Sequence, residues 1–121
     1  MVKASISSEQ QLKKFFARDI AQKATQPLKN GIEIEICIDK ATSLTLTKIN
    51  NSLELLATPP KNADMSFWIG SKGVEELVKC ETEDIGEVGI AIIKLMLASD
   101  PDIQLKSKVH IGTLKLISHG Y

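Results

Sequence analysis

Residues 31–39, GIEIEICID, alternate strictly, with Ile32, Ile34, Ile36 and Ile38 on one side and Glu33, Glu35 and Cys37 on the other. Period two is the mark of a half-buried strand. Leu44–Thr47 repeats it after a Lys40–Ser43 turn, and Leu53–Thr58 follows through Asn50-Asn51, a tight-turn pair. Pro59–Asn62 closes that strand. Ala63–Ile69 then sets Met65, Phe67 and Ile69 against Ser66 and Trp68, and Ile103–Val109 is the fifth predicted strand.

Elsewhere the period lengthens. Ser8 and Gln11 have capping-box spacing, with Ile6 as the staple before them. Leu12, Phe15, Phe16, Ile20 and Ala24 then share one face of a helix running to about Lys23. Ser71 is placed to cap a short helix carrying Val74, Leu77 and Val78, and Gly112–Ser118 predicts a closing helix with Leu114, Leu116 and Ile117. The remaining helix, within Asp84–Pro101, differs from the others. Acidic Glu81–Glu87 opens it, Asp84 and Glu87 have N-cap and N3 spacing, and Asp100-Pro101 stops it. From Val88 to Ala98 only Gly89 and Lys94 interrupt an apolar run.

A helix apolar nearly all round is buried or spans a membrane, and this run of about eleven residues is short of the roughly 20 that a span needs. It therefore carries more apolar surface than one sheet face covers, and its far side calls for a partner chain or an apolar ligand. The element order predicts an α+β fold: two layers, about five strands in a mostly antiparallel sheet, the first four running antiparallel, with helices packed on one face. One face cannot satisfy three helices without gaps between the layers, and such gaps hold apolar ligands. At 121 residues the chain is read as a single domain, 1–121.

Composition narrows the functional classes. Lys and Arg balance Asp and Glu at 15 each, and Arg18 is the only arginine. That argues against nucleic acid, which asks for a basic footprint and bidentate readers. The charge is uneven: Asp64–Asp102 is acidic, whereas Lys106, Lys108 and Lys115 make a basic tail. Such a tail suits anionic headgroups in transient membrane contact, or simply a solvated strand edge. Cys37 and Cys80 form neither a disulfide framework nor a metal pair. The N-terminus has no apolar h-region, so no signal peptide is expected and a cytoplasmic location is.

Candidate chemistry is thin. His110 and His119, with Asp100 and Asp102, match no metal spacing and are read as surface histidines. Glu33 and Glu35 are read as a solvated strand face, and Cys37 has no basic neighbour to activate it. Gly86 and Gly89 lack the lysine of a phosphate loop and instead permit close backbone approach. No catalytic residue, metal or cofactor is expected.

The second half of the chain resembles the sterol carrier protein-2 (SCP2) family. Ala63-Asp64-Met65-Ser66-Phe67 is similar to that family's aspartate-led fourth strand, and Ser71–Lys79 to the short helix after it. Ile103–Ile117, IQLKSKVHIGTLKLI, is similar to its lysine-studded last strand and terminal helix. Two departures stand out: a longer, more apolar segment before the last strand, and Val109-His110-Ile111 where small residues are usual. The resemblance implies a hydrophobic tunnel between sheet and helices for fatty acyl chains, sterols, isoprenoid quinones or phospholipids. Together with the excess apolar surface it makes a non-enzymatic lipid-binding or carrier domain the expected function, in contact with lipid or a lipid enzyme. Phe16, Ile36, Leu46, Trp68, Val88, Ile92, Leu95, Met96, Leu114 and Ile117 are the expected wall. The alternative is an interaction module in which Val88–Ala98 is the interface with a partner or with a second copy in a homodimer.

Overall fold

The computed structural model describes residues 7–80 and 84–121. Ile6, expected as a helix staple, and Glu81 to Glu83 at the acidic helix start lie outside them. The order is α1 (Ser8–Ala17), α2 (Asp19–Ala24), β1 (Glu33–Ile38), β2 (Thr42–Ile49), β3 (Ser52–Leu56), β4 (Met65–Ile69), α3 (Ser71–Val78), α4 (Ile85–Met96), β5 (Lys106–Val109) and α5 (Thr113–Ser118).

The strands form one five-stranded sheet, ordered β3-β2-β1-β4-β5. Three pairings are antiparallel. The fourth, β1 with β4, is parallel, which corrects the expectation that the first four strands all run antiparallel. The cause is the Pro59-Pro60 stretch. Instead of closing a hairpin, it carries the chain back across the sheet, as parallel pairing requires. The Thr45 hydroxyl donates to the Thr58 carbonyl at 2.7 Å and the Lys61 N–H to Glu33 Oε1 at 2.9 Å. The crossover therefore lies over the Glu33 face, and Thr45 and Thr47 on that face are buried beneath it.

The opposite face makes the core. Register places Ile34 beside Leu46 and Ile36 beside Leu44 and Phe67. Leu12 and Phe15 of α1 and Val74 and Leu77 of α3 pack onto this face. Lys48 shares it and is buried, its Nζ donating to the carbonyls of Thr25 and Gln26 at 3.1 and 2.9 Å. Those carbonyls end α2, where a cation also meets the negative end of the helix dipole. Gly73 lets α3 sit against the chain after α4: a Cβ there would come within 2.6 Å of the Ile103 carbonyl oxygen.

The helices differ from expectation in three details. The first helix is two, because Arg18 is extended (φ −66°, ψ 148°). The break lets its guanidinium reach the Cys80 carbonyl at 2.7 Å while Ile20 stays buried. Ser7, not Ser8, caps α1, accepting from the Gln10 N–H. Gly70 precedes α3 with no side-chain cap, and the Ser71 N–H is held by Asp39 Oδ1 instead. Asp84 caps α4 as its spacing implies, accepting from the Gly86 N–H. Among the described residues no helix is long and apolar enough to cross a membrane.

Candidate functional site

Where α4 leans on the first two helices it leaves an apolar pocket of about 150 Å³. Phe15 and Phe16 of α1 and Ile20, Ala21 and Ala24 of α2 line one side, and Ile85, Val88 and Ile92 of α4 the other. Thr25 is the single polar residue on the wall, and its hydroxyl is turned back to the Ala21 carbonyl at 2.8 Å. The two phenyl rings meet edge to face at 5.4 Å, a favourable aromatic arrangement. Nothing on this lining can orient a polar substrate or transfer a proton. The site can take up apolar matter and exclude water.

Of the ten expected wall residues, the structure brings Phe16, Val88 and Ile92 together here. Ile36, Leu46 and Leu95 are buried in the packed core. Trp68 alternates with Phe67 and so stands on the opposite face of the sheet. Met96, Leu114 and Ile117 are exposed on α4 and α5. Phe15, Ile20 and Ala24 also line the pocket, and the helical period had already set them on one face with Phe16. Ile85 carried no signal, because a helix start does not disclose what it will face. Gly89 makes no close approach: a Cβ there would meet nothing within 4 Å. The same is true of Gly86 but for the Asp84 cap at 3.1 Å.

Trp68 borders a different, charged cleft of about 400 Å³ with Asp39, Lys40, Asp102 and Lys106. On the same sheet face, Glu35 is more than a solvated carboxylate. Its Oε1 accepts from Ser66 at 2.7 Å and its Oε2 from Ser43 at 2.8 Å. Those hydrogen bonds, Ser66 first, hold its pKa below the ordinary 4.5. Burial, and then the Glu35 charge, push the Cys37 thiol up, away from nucleophilic use. The histidines keep to the surface, His110 exposed and His119 partly so, but both are hydrogen-bonded within the chain. His110 Nε2 lies 2.8 Å from the Ser66 hydroxyl. His119 Nδ1 lies 2.8 Å from Asp64 Oδ2, which also accepts from the Tyr121 hydroxyl at 2.9 Å. These contacts clasp the chain end to the start of β4. Burial and Asp64 raise the Tyr121 pKa well above the ordinary phenol range. Among the described residues, no group of three or more His, Cys, Asp or Glu is placed to hold a metal ion.

No protein-family model matches the chain, and no curated protein does. A solved structure described as "UbiJ-SCP2 Ubiquinone synthesis protein" is similar to it, with a TM-score of 0.53 at 17% sequence identity. The match covers 90% of this chain and 80% of that one. Five strands in one mixed sheet, with α1 and α3 on its apolar face and a strand-helix ending, thus give the chain an SCP2-like fold.

Proposed function

We propose that this domain binds the linear apolar part of a lipid, a fatty acyl or isoprenoid chain, and acts as a non-enzymatic carrier or presenting domain. The observation that carries the reading is the apolar pocket between α1–α2 and α4. The likeness to a protein described as a ubiquinone synthesis protein supports it, since an isoprenoid quinone carries such a chain.

Size sets the mechanism. An apolar void near 150 Å³ takes a benzene-sized group. About six carbons at ~0.8 kcal/mol each gain ~5 kcal/mol, little more than the ~4 kcal/mol minimum for association. Micromolar binding needs a longer buried stretch, so α4 must move outward. Leu95 is the one buried residue of α4, which makes this helix the wall most easily displaced. A rigid sterol nucleus needs the whole opening at once, whereas a chain enters by degrees.

Native mass spectrometry of freshly purified protein, followed by solvent extraction, tests this. A near-stoichiometric acyl or isoprenoid lipid is expected, and Ile92→Asp should lose it while keeping the wild-type circular dichroism. Loaded protein should also show slower amide exchange in α4. Protein that is empty and takes up no added fatty acid would sink the proposal, as would uptake unchanged in Ile92→Asp.

A further inference from the structure

The side of α4 turned away from the pocket is apolar as well. Ile90 and Ile93 are each 55% exposed and Leu97 is 79% exposed. At 3.6 residues per turn, Gly86, Ile90, Ile93 and Leu97 fall within roughly a 60° arc opposite Val88 and Leu95. Their spacing of 4, 3 and 4 is that of a coiled-coil seam. Glu87 and Lys94, both exposed, run along one flank, with Gly89 and Met96 along the other.

We infer that this face pairs with the same face of a second copy, the two α4 helices lying antiparallel across a two-fold axis between Ile90 and Ile93. The seam is complementary to itself only in that orientation. Ile90 meets Ile93 of the second copy, and Leu97 comes over Gly86, which has no side chain of its own and lies beside the Asp84 cap. Met96 comes over Gly89, whose flank is open. Glu87 comes beside Lys94 of the second copy, and each contact occurs twice. A parallel pair would set the Glu87 and Lys94 flank of one copy against the uncharged Gly89 and Met96 flank of the other, so neither charge would find a partner. The antiparallel pair also opposes the two helix dipoles. Phe16, Val88 and Ile92 stay on the inner side, so dimer and ligand do not compete for the same residues.

Twelve residues of helix span ~18 Å, and so short a seam buries less than the ~1,000 Å² of stable interfaces. The dimer is therefore a weak one. Sedimentation velocity on the full 121-residue chain tests it from about 5 µM to 1 mM, with dissociation expected at about 10–500 µM. Ile93→Asp should weaken the dimer at least tenfold or so. Glu87→Lys and Lys94→Glu should each weaken it about threefold to tenfold, and the double swap should restore it to within about twofold. All three positions are solvent-facing, and circular dichroism checks that the variants fold. A monomer at every concentration overturns the inference and leaves the stripe for another partner. So does a dimer indifferent to Ile93→Asp, and so does a double swap that fails to restore the loss.

Discussion

The Ser66 hydroxyl is 1% exposed and lies between Glu35 Oε1 and His110 Nε2, at 2.7 and 2.8 Å. It has one proton to give, and Glu35 receives it, so the ring nitrogen facing it is the donor in the second contact. One buried hydroxyl thus joins β1, β4 and the turn after β5. The bonds stabilise ionised Glu35, whose pKa is lowered by Ser66 above all and then by Ser43. The folded state therefore keeps Glu35 charged at pH values where the unfolded chain binds a proton. That stability is present above about pH 4.5 and is lost as the pH falls below it. Glu35→Gln should lower stability at pH 7 yet flatten the acid limb, so that denaturant midpoints of the two proteins converge between about pH 5 and 3. Parallel curves would show that the network contributes no linkage. None of this was legible from local sequence, because Ser66 is 31 positions from Glu35 and His110 is 44 from Ser66. A strand pattern shows which face a residue takes, and its cross-strand partners depend on a topology still to be formed.

At the scale of elements, periodicity carried most of the information. The alternation of Ile34, Ile36 and Ile38 marked β1, and Asp84 marked the start of α4. The break at Arg18 left no trace, since Leu12, Phe15 and Ile20 keep helical spacing across it. The direction of β4 was also hidden, because antiparallel and parallel strands alternate alike. The hairpins are more explicit. Asn50 and Asn51 both take positive φ, 50° and 64°, in the primed turn that two-residue hairpins favour. Asp39 and Lys40 do the same at 54° and 58°, although lysine gains nothing from that region. Lys40→Gly creates the Asp-Gly pair that such turns prefer and should stabilise the protein by about 0.5–1 kcal/mol. Its melting temperature should rise by about 2–5 °C, with Ala41→Gly, just beyond the turn's central pair, as the control. A fall for Lys40→Gly would show that the lysine side chain contributes more through the neighbouring cleft than its backbone costs.

For the whole molecule, sheet order separates near contacts from distant ones. The pairings β1–β2 and β2–β3 close over tight turns, whereas β1–β4 and β4–β5 join strands far apart in the chain. Loop closure makes the distant pairs slower to form. Leu46→Ala, in β2, should therefore act mainly by slowing refolding, and Ile69→Val, in β4, mainly by speeding unfolding. Stopped-flow chevrons that assign both effects to the same limb would refute that order. The pocket belongs to the same division. Its α1–α2 wall is near the early strands in sequence, and its α4 wall arrives with the late half, so the sequence displayed apolar helix faces holding Phe16, Val88 and Ile92 but not which of their neighbours would meet.

The central position of β1 has a further consequence during synthesis. Chains emerge N-terminus first, so β1, β2 and β3 are free to pair while β4 is still being made. Throughout that interval one edge of β1 offers an open row of backbone donors and acceptors beside three isoleucines, the kind of edge on which chains aggregate. Glu33 and Glu35 lie on that same strand, where like charges would repel a second nascent copy. Their value to the cell thus begins before Ser66 and Lys61 have joined them.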